Sequence, residues 1–208
     1  MDSRYIGRTG STPAGQFAYA LTRENGQIVP ATSDVVQDAM AYMTGPNSRV
    51  VDMSAPVPFN NQRFDSFAVR ITVPILNKRT NETVGVVGCQ LDIAMIQPRL
   101  ERTIKENDGV TSMAIYTDTG FILASYIPER IGRKLVDVEI QYGNYINDVK
   151  DVIEKGYEWE GMAYDPALKS NMYMAITPIT LADSPTTWAV MIGSAEAYIK
   201  RNRRIVRW

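Results

Sequence analysis

Short apolar runs separated by polar turns recur along the chain, a pattern typical of antiparallel strands. In both halves a strand-like run, a glycine-containing tight turn and a second run follow one another. These segments are residues 17–21, 25–26 and 28–29 in the first half, and residues 112–116, 118–120 and 121–126 in the second. Each half therefore predicts a β-hairpin near its start.

A second pair of apolar runs also occurs twice. Residues 67–75, 77–83 and 84–91 form a run, a polar stretch and a run, and their counterparts are residues 171–179, 182–185 and 188–193. Pro74 and Pro178 each stand one residue before the end of the first run. Because proline cannot donate a hydrogen bond to a sheet ladder, its use at the same point predicts the same strand end or edge position. We therefore predict that the two halves are structural duplicates.

Helical patterns lie between and after these strands. Residues 92–104 carry apolar side chains at three- and four-residue spacings, which predicts an amphipathic helix linking the halves. Pro98 either kinks that helix or delays its start. The other helical segments are residues 34–40 after the N-cap Ser33, residues 147–155 and residues 195–204. The fold class is therefore α+β, with an antiparallel sheet flanked by helices in each half.

Composition excludes several classes of function. The 208 residues include 22 basic and 23 acidic side chains, a formal charge of −1, and no basic stripe interleaved with aromatic residues, so we expect no nucleic-acid partner. The absence of histidine removes the commonest general base and metal ligand. The apolar neighbours of the single cysteine, Cys89, predict a core position rather than a nucleophile. We therefore predict that the protein is not an enzyme and has no catalytic residue, metal site or cofactor.

The ordered motifs resemble the double-Cache family, the periplasmic or extracellular sensors of chemoreceptors, sensor kinases and diguanylate cyclases. The matching stretches cover nearly the whole chain: residues 2–5, 15–17, 73–75, 84–88, 118–120, 177–179 and 187–190. The resemblance implies two tandem PAS-like modules, a membrane-distal one at residues 1–92 and a membrane-proximal one at residues 108–195. It also implies a linking helix at residues 93–107 and a terminal juxtamembrane helix at residues 196–208. The family's long N-terminal helix is expected to be missing, because residue 1 falls about where that helix ends.

The resemblance implies a ligand pocket in the distal module. Many family members that bind amino acids place an aspartate two residues after the Gly–Val–Val–Gly run, where it receives the ligand ammonium. Gln90 stands at that position here, and the family's Trp–Tyr pair is represented at best by Ala41 and Tyr42. These departures favour a neutral or anionic small molecule, or no ligand, over a free amino acid. The candidate ligand contacts are polar residues near predicted strand and helix ends: Tyr19, Arg23, Tyr42, Asp65, Arg70 and Gln90.

Several residues of the second half have a structural interpretation. Aromatic and methionine side chains predict core packing there: Tyr173, Trp188, Met162, Met172, Met174 and Met191. The basic residues at positions 200–204 predict either the solvated end of a helix or a juxtamembrane segment that meets lipid headgroups.

The sequence leaves three functions open. The first is the small-molecule sensor domain of a transmembrane receptor, foremost a chemoreceptor, with the sensor domain of a histidine kinase, diguanylate cyclase or phosphatase as alternatives. Its ligand would be a compound such as a carboxylate or an amino-acid-like molecule. The domain would be periplasmic or extracellular, held at the cell membrane by flanking spans, with a homodimer in the full-length receptor.

The second function is a ligand-free dimerisation or protein-docking module, whose distal cavity is filled by side chains such as Met43 or Phe67. The third function is a carboxylate-based hydrolase, but no pair of Asp or Glu residues in the sequence lies within a recognisable catalytic motif.

Overall fold

A computed structural model of the chain describes residues 21–24, 26–30, 52–53, 57–61, 64–180, 184 and 186–203. Only the backbone is described for residues 22–24, 30, 52–53, 57–61, 64–67, 90 and 200–203. The chain divides into two compact units, one formed by Met1–Val50 with Val73–Gly88 and the other by Val51–Thr72 with Cys89–Trp208. Across the described residues, every helix is too short or too polar to cross a bilayer.

The strands of the N-terminal half are antiparallel where their register is defined. They are β1 (Leu21–Glu24), β2 (Gln27–Pro30), β3 (Asp52–Met53), β4 (Val57–Asn61), β5 (Phe64–Leu76) and β6 (Thr83–Asp92). β1 and β2 form a hairpin around Gly26, whose φ of +82° is a conformation that glycine adopts without strain. This confirms the first predicted hairpin turn. β5 pairs with β3 and β4 on antiparallel registers and also with β6.

The connection between β5 and β6 is the predicted polar turn. The side-chain oxygen of Asn77 accepts a hydrogen bond from the backbone nitrogen of Arg79 at 2.9 Å. The backbone nitrogen of Asn77 donates to the carbonyl of Glu82, also at 2.9 Å. An asparagine that bonds to the backbone two residues on is a common means of reversing a chain. The long strands on both sides confirm the predicted strand–turn–strand unit.

The linking helix starts later than its apolar pattern. A 3₁₀ turn at Ile93–Met95 precedes the helix α1 (Gln97–Glu106), in which Pro98 is the second residue. Proline is tolerated there because the first helical N–H groups have no partner inside the helix. Of the two outcomes predicted for Pro98, the delayed start is therefore the observed one.

The C-terminal half contains one five-stranded antiparallel sheet. Its strands are β7 (Ser112–Thr117), β8 (Ile122–Ser125), β9 (Trp159–Asp165), β10 (Ser170–Thr180) and β11 (Thr187–Ala195), in the spatial order β8–β7–β11–β10–β9. The insert between β8 and β9 contains 3₁₀ segments at Pro128–Arg130 and Ile140–Tyr145 and the helices α2 (Leu135–Val138) and α3 (Ile146–Lys155). Helix α4 (Glu196–Arg203) follows β11. The α+β class with antiparallel sheets is confirmed.

The two faces of this sheet are covered differently. One face packs against α3 and the 3₁₀ segment through a core that includes Tyr116, Val149 and Met174. The opposite face is covered near β7 and β8 by a smaller cluster that contains Val69 of β5 and Ile93. The insert helices therefore occupy one side of the sheet, while the linking segment and part of β5 occupy the other.

Three predicted core positions are wrong. Cys89 is exposed, because β6 pairs only with β5 among the described strands, and the preceding Val87 and Gly88 are exposed as well. Met162 and Tyr173 point away from the main core and are 50% and 37% exposed. The predicted core residues on the inner face, Met172, Met174 and Met191, are fully buried.

Candidate functional site

The structure locates four of the six predicted ligand contacts in the chain but does not assemble them into a site. Arg23 is on β1, Asp65 and Arg70 are on β5 and Gln90 is on β6, whereas Tyr19 and Tyr42 lie outside the described residues. Only the side chain of Arg70 is described among these, and it is half-buried beside the fully buried Val69. The distal pocket therefore remains a prediction.

A buried polar cluster lies instead between the C-terminal sheet and its helical insert. The Arg130 Nη1 donates to Glu139 Oε2 at 2.6 Å and to Gln141 Oε1 at 3.1 Å. The amide nitrogen of Gln141 also donates to Glu139 Oε2. All three residues are buried, although each comes from a different part of the insert. This arrangement ties the 3₁₀ turn after β8 to the 3₁₀ segment before α3.

The Glu139 carboxyl is bonded on one side only. Oε2 accepts both donors described above, whereas the buried Oε1 has no hydrogen-bond partner within the described residues. The Tyr116 hydroxyl lies close to the carboxyl and lowers the pKa of Glu139, although it does not meet hydrogen-bond geometry at Oε1. Burial raises the pKa of Glu139 to about 7, against the opposing effect of Arg130. A buried carboxylate with an unsatisfied oxygen is costly, so desolvation outweighs the ion pair.

Two tyrosine hydroxyls meet beside this carboxyl. Tyr116 of β7 and Tyr142 of the 3₁₀ segment are fully buried, and their hydroxyl oxygens are 3.4 Å apart. Burial raises the pKa of both hydroxyls above the ordinary tyrosine value. Both are therefore neutral at physiological pH. They can donate or accept a hydrogen bond, so they suit a neighbour that changes its protonation state.

Asp165, the last residue of β9, belongs to the same polar cluster and connects it to the β9–β10 turn. Its Oδ2 accepts a hydrogen bond from the Tyr126 hydroxyl, and its Oδ1 accepts from the backbone nitrogens of Ala167 and Leu168 at 2.8 and 3.3 Å. The Arg130 guanidinium lies over the Tyr126 ring, 5.7 Å from its centroid. The aspartate thus connects the β9–β10 turn to the insert through Tyr126 and Arg130.

The cluster has the chemistry of a hydrogen-bonding and proton-binding site rather than a metal centre. No group of three His, Cys, Asp or Glu side chains in the described part of the chain is arranged to hold a metal ion. The charged members are one guanidinium and two carboxylates, and each carboxylate has its own donors. The sequence offered a weak signal for it, since Glu139 stands between Val138 and Ile140, where an unpaired charge would be costly.

A second feature is an apolar patch on the opposite side of the sheet. It consists of Met162, Tyr164, Tyr173 and Ile192, which are between 37% and 56% exposed. Met162 and Tyr173 are direct cross-strand partners. We call these four residues the outer patch. It lies on the β9–β10–β11 part of that face, beside the Glu160 carboxylate, which accepts a hydrogen bond from the Tyr173 hydroxyl at 2.6 Å. Exposed apolar side chains grouped on one face can form a contact surface.

No family model matches this sequence, and no curated protein sequence matches it. Solved structures do match its fold. The periplasmic sensory domain of the chemoreceptor Tlp1 of Campylobacter jejuni is 20% identical, with a TM-score of 0.70 over 96% of this chain and 70% of that chain. The extracellular domain of mmHK1S-Z3, described as a histidine kinase, is 17% identical, with a TM-score of 0.74 over 100% of this chain and 72% of that one.

A third similar structure was solved with a bound ligand. The ligand-binding domain of the Pseudomonas fluorescens chemoreceptor CtaA, in complex with L-serine, is 14% identical, with a TM-score of 0.54 over 86% of this chain and 72% of that chain. These likenesses extend over most of the chain. The chain therefore has the fold of extracytoplasmic sensory domains, and the resemblance found in its sequence is confirmed at the level of the fold.

Proposed function

We propose that this chain is the extracytoplasmic small-molecule sensor domain of a transmembrane signalling receptor, foremost a chemoreceptor. The observation that carries the proposal is the fold likeness over 96% to 100% of the chain to sensory domains of a chemoreceptor and a histidine kinase. The sequence contains no histidine, which removes the Ser–His and Cys–His catalytic pairs and supports a binding role over catalysis.

The proposal includes two tandem PAS-like modules, at residues 1–92 and 108–195. The strand–turn–strand units β5–β6 and β10–β11 support it, because Pro74 and Pro178 both stand two residues before the end of their strand. Beyond Ile176, β10 no longer pairs with β9, so the missing N–H of Pro178 falls where the ladder is incomplete. Residues 93–107 would link the modules and residues 196–208 would lead to the membrane.

The outer patch supports a further part of the proposal. A long helix of the kind that the family resemblance implies would bury Met162, Tyr164, Tyr173 and Ile192 if it packed on this face. Such a helix would need an apolar stripe on the side that faces the sheet. Exposure of an apolar face that the receptor normally covers would favour self-association of the isolated domain.

We place the ligand in the distal module, on Tyr19, Arg23, Tyr42, Asp65, Arg70 and Gln90. Arg70 and Gln90 are the most useful to test, because their strands β5 and β6 pair with each other. A guanidinium suits a ligand carboxylate and a neutral amide suits a ligand hydroxyl or amide. A neutral or anionic ligand therefore fits this pair better than a cationic one.

A thermal-shift screen against carboxylates, amino acids and amines tests the binding claim. At a ligand concentration of about 100 times Kd, binding stabilises the fold by about 2.7 kcal/mol, which raises the Tm of a domain this size by roughly 5–10 °C. We expect a saturable shift of this size with at least one compound. If no compound in the three classes shifts the Tm, the sensor proposal is wrong.

Variants of the same chain test the placement separately. We expect Arg70→Gln and Gln90→Leu to lose the shift, whereas the matched control Arg102→Gln, at an exposed position of α1, keeps it. A ligand that stabilises all three variants as it stabilises the wild type would refute these two contacts while leaving the sensor function intact.

A further inference from the structure

The insert of the C-terminal half contains a carboxyl group whose surroundings suit its neutral form. Oε2 of Glu139 receives donors from Arg130 and Gln141, as the carbonyl oxygen of a neutral acid would. Oε1 has no donor in the described part of the chain. When protonated, the carboxyl carries no charge, so its burial costs much less than burial of the anion. When ionised, Oε1 is a buried anionic oxygen without a partner, which is unfavourable.

Five titratable or charged groups from different elements interact with this carboxyl. They are Tyr116 from β7, Tyr126 after β8, Arg130 from the 3₁₀ turn, Tyr142 from the 3₁₀ segment and Asp165 from β9. Burial raises the pKa of the three tyrosines above its ordinary value, and arginine stays charged in proteins. The burial that raises the pKa of Glu139 to about 7 therefore makes this carboxyl the member of the cluster that titrates near neutral pH.

The position of Glu139 gives its ionisation a structural effect. It stands between α2 and the 3₁₀ segment, and Gly143 interrupts that segment with a φ of +50°, a conformation that other residues rarely adopt. The chain is therefore kinked at Gly143, between the polar cluster and α3. Solvating an ionised Oε1 requires residues 139–142 to move or water to enter.

We propose that Glu139 is a proton-binding site through which the C-terminal half responds to pH near neutrality, with the insert closed when Glu139 is protonated and loosened when it is ionised. The ligand of this site is the proton itself. The inference goes beyond small-molecule sensing and is independent of the distal pocket, because it needs no ligand and rests on residues of one compact unit. It adds a second input to the same domain.

Trp159 provides a local reporter of the movement. Its ring makes an edge contact with Tyr142 at 5.9 Å and a tilted contact with Tyr145 at 6.5 Å, so displacement of the 3₁₀ segment changes its surroundings. Hydrogen exchange of residues 128–145 measures the same event through the backbone. Both signals can be followed in the 208-residue chain without a bound ligand.

The test is a pH titration of the chain with 13C-labelled glutamate carboxyls, tryptophan fluorescence and hydrogen exchange. We expect one carboxyl resonance with a midpoint near the pKa of about 7 and a fluorescence change with the same midpoint. Above it, residues 128–145 should also lose protection against exchange, once the intrinsic pH dependence of amide exchange has been divided out. All three should be absent from Glu139→Gln and present in the control Glu154→Gln, an exposed residue of α3. The proposal is wrong if every glutamate titrates below about 5.5, the ordinary range, or if Glu139→Gln keeps the transition.

If Glu139→Gln does not fold, the variant Tyr116→Phe still tests the proposal. The Tyr116 hydroxyl lowers the pKa of Glu139, so its removal should move the midpoint of the fluorescence change and of the carboxyl resonance to higher pH. A midpoint that stays where the wild type has it would contradict the assignment to Glu139.

Discussion

Burial of the Glu139 carboxyl makes the stability of the C-terminal half depend on pH. The pKa of this group is raised from 4.5 to about 7 in the folded chain. A raised carboxyl pKa means that the folded state holds the proton more tightly than the unfolded state does. Its contribution to stability is therefore complete below about pH 4.5 and is lost as the pH rises through about 7.

We predict that the unfolding free energy of the wild type, relative to Glu139→Gln, falls by about 2–3 kcal/mol between pH 5 and pH 8. The glutamine variant keeps the shape of the side chain but has no proton to lose. Urea unfolding at both pH values measures the difference, and Glu154→Gln should show no such change. A difference that is constant, or that grows with pH, would contradict the raised pKa.

At single positions, a prediction of burial made from the sequence is correct only where another segment of the fold packs on that residue. Met172 and Met174 were predicted as core and are buried, whereas Met162 was predicted in the same way and is exposed. The three have similar local sequences but lie on opposite faces of the sheet, and which face is covered depends on segments distant in sequence. Glu139 could not be paired with Arg130 from the sequence, because the irregular insert between them has no period to follow.

The elements themselves were largely predictable, since alternation and turn residues are local signals. The strands β5, β6, β7, β10 and β11, the hairpin at Gly26 and the helices α3 and α4 all lie at predicted positions. The short 3₁₀ segments of the insert were not predicted, because their polar and apolar residues follow neither a two-residue nor a 3.6-residue period. The predicted helix at residues 34–40 lies outside the described residues.

A side chain of helix α1 forms two hydrogen bonds with the edge of the C-terminal sheet. The amide nitrogen of Gln97 donates to the carbonyl of Ser125 at 2.9 Å, and its amide oxygen accepts from the Ser125 backbone nitrogen at 3.0 Å. Ser125 is fully buried at the end of β8. The Gln97 side-chain amide therefore bonds to the backbone N–H and C=O of Ser125 as the backbone of a neighbouring strand would.

We predict that Gln97→Ala lowers the stability of the chain by about 1–3 kcal/mol, because it leaves two buried backbone groups of Ser125 without partners. The control Arg99→Ala, at an exposed position of the same helix, should change stability by less than about 0.5 kcal/mol. Urea denaturation of both variants measures this. Equal effects of the two substitutions would mean that the hydrogen bonds between Gln97 and Ser125 do not stabilise the position of the helix.

For the molecule as a whole, the outer patch predicts how the isolated chain behaves. We expect the chain to self-associate at high concentration, and Ile192→Lys to reduce that association by placing a charge within the patch. Ile140→Lys is the control, because Ile140 is exposed but lies in the insert rather than in the patch. Sedimentation velocity measures both, and equal behaviour of the two variants would exclude the patch as the contact surface.

The proposed sensor function places small-molecule binding in the N-terminal half of the molecule. Chemical-shift mapping of the 15N-labelled chain against the carboxylates, amino acids and amines tests this most directly, because it reports binding and position together. We predict that at least one compound produces saturable shifts of amides in residues 64–92 while the amides of β9 and β10 stay unchanged. Saturable shifts confined to residues 108–195, or none with any compound, would contradict the account.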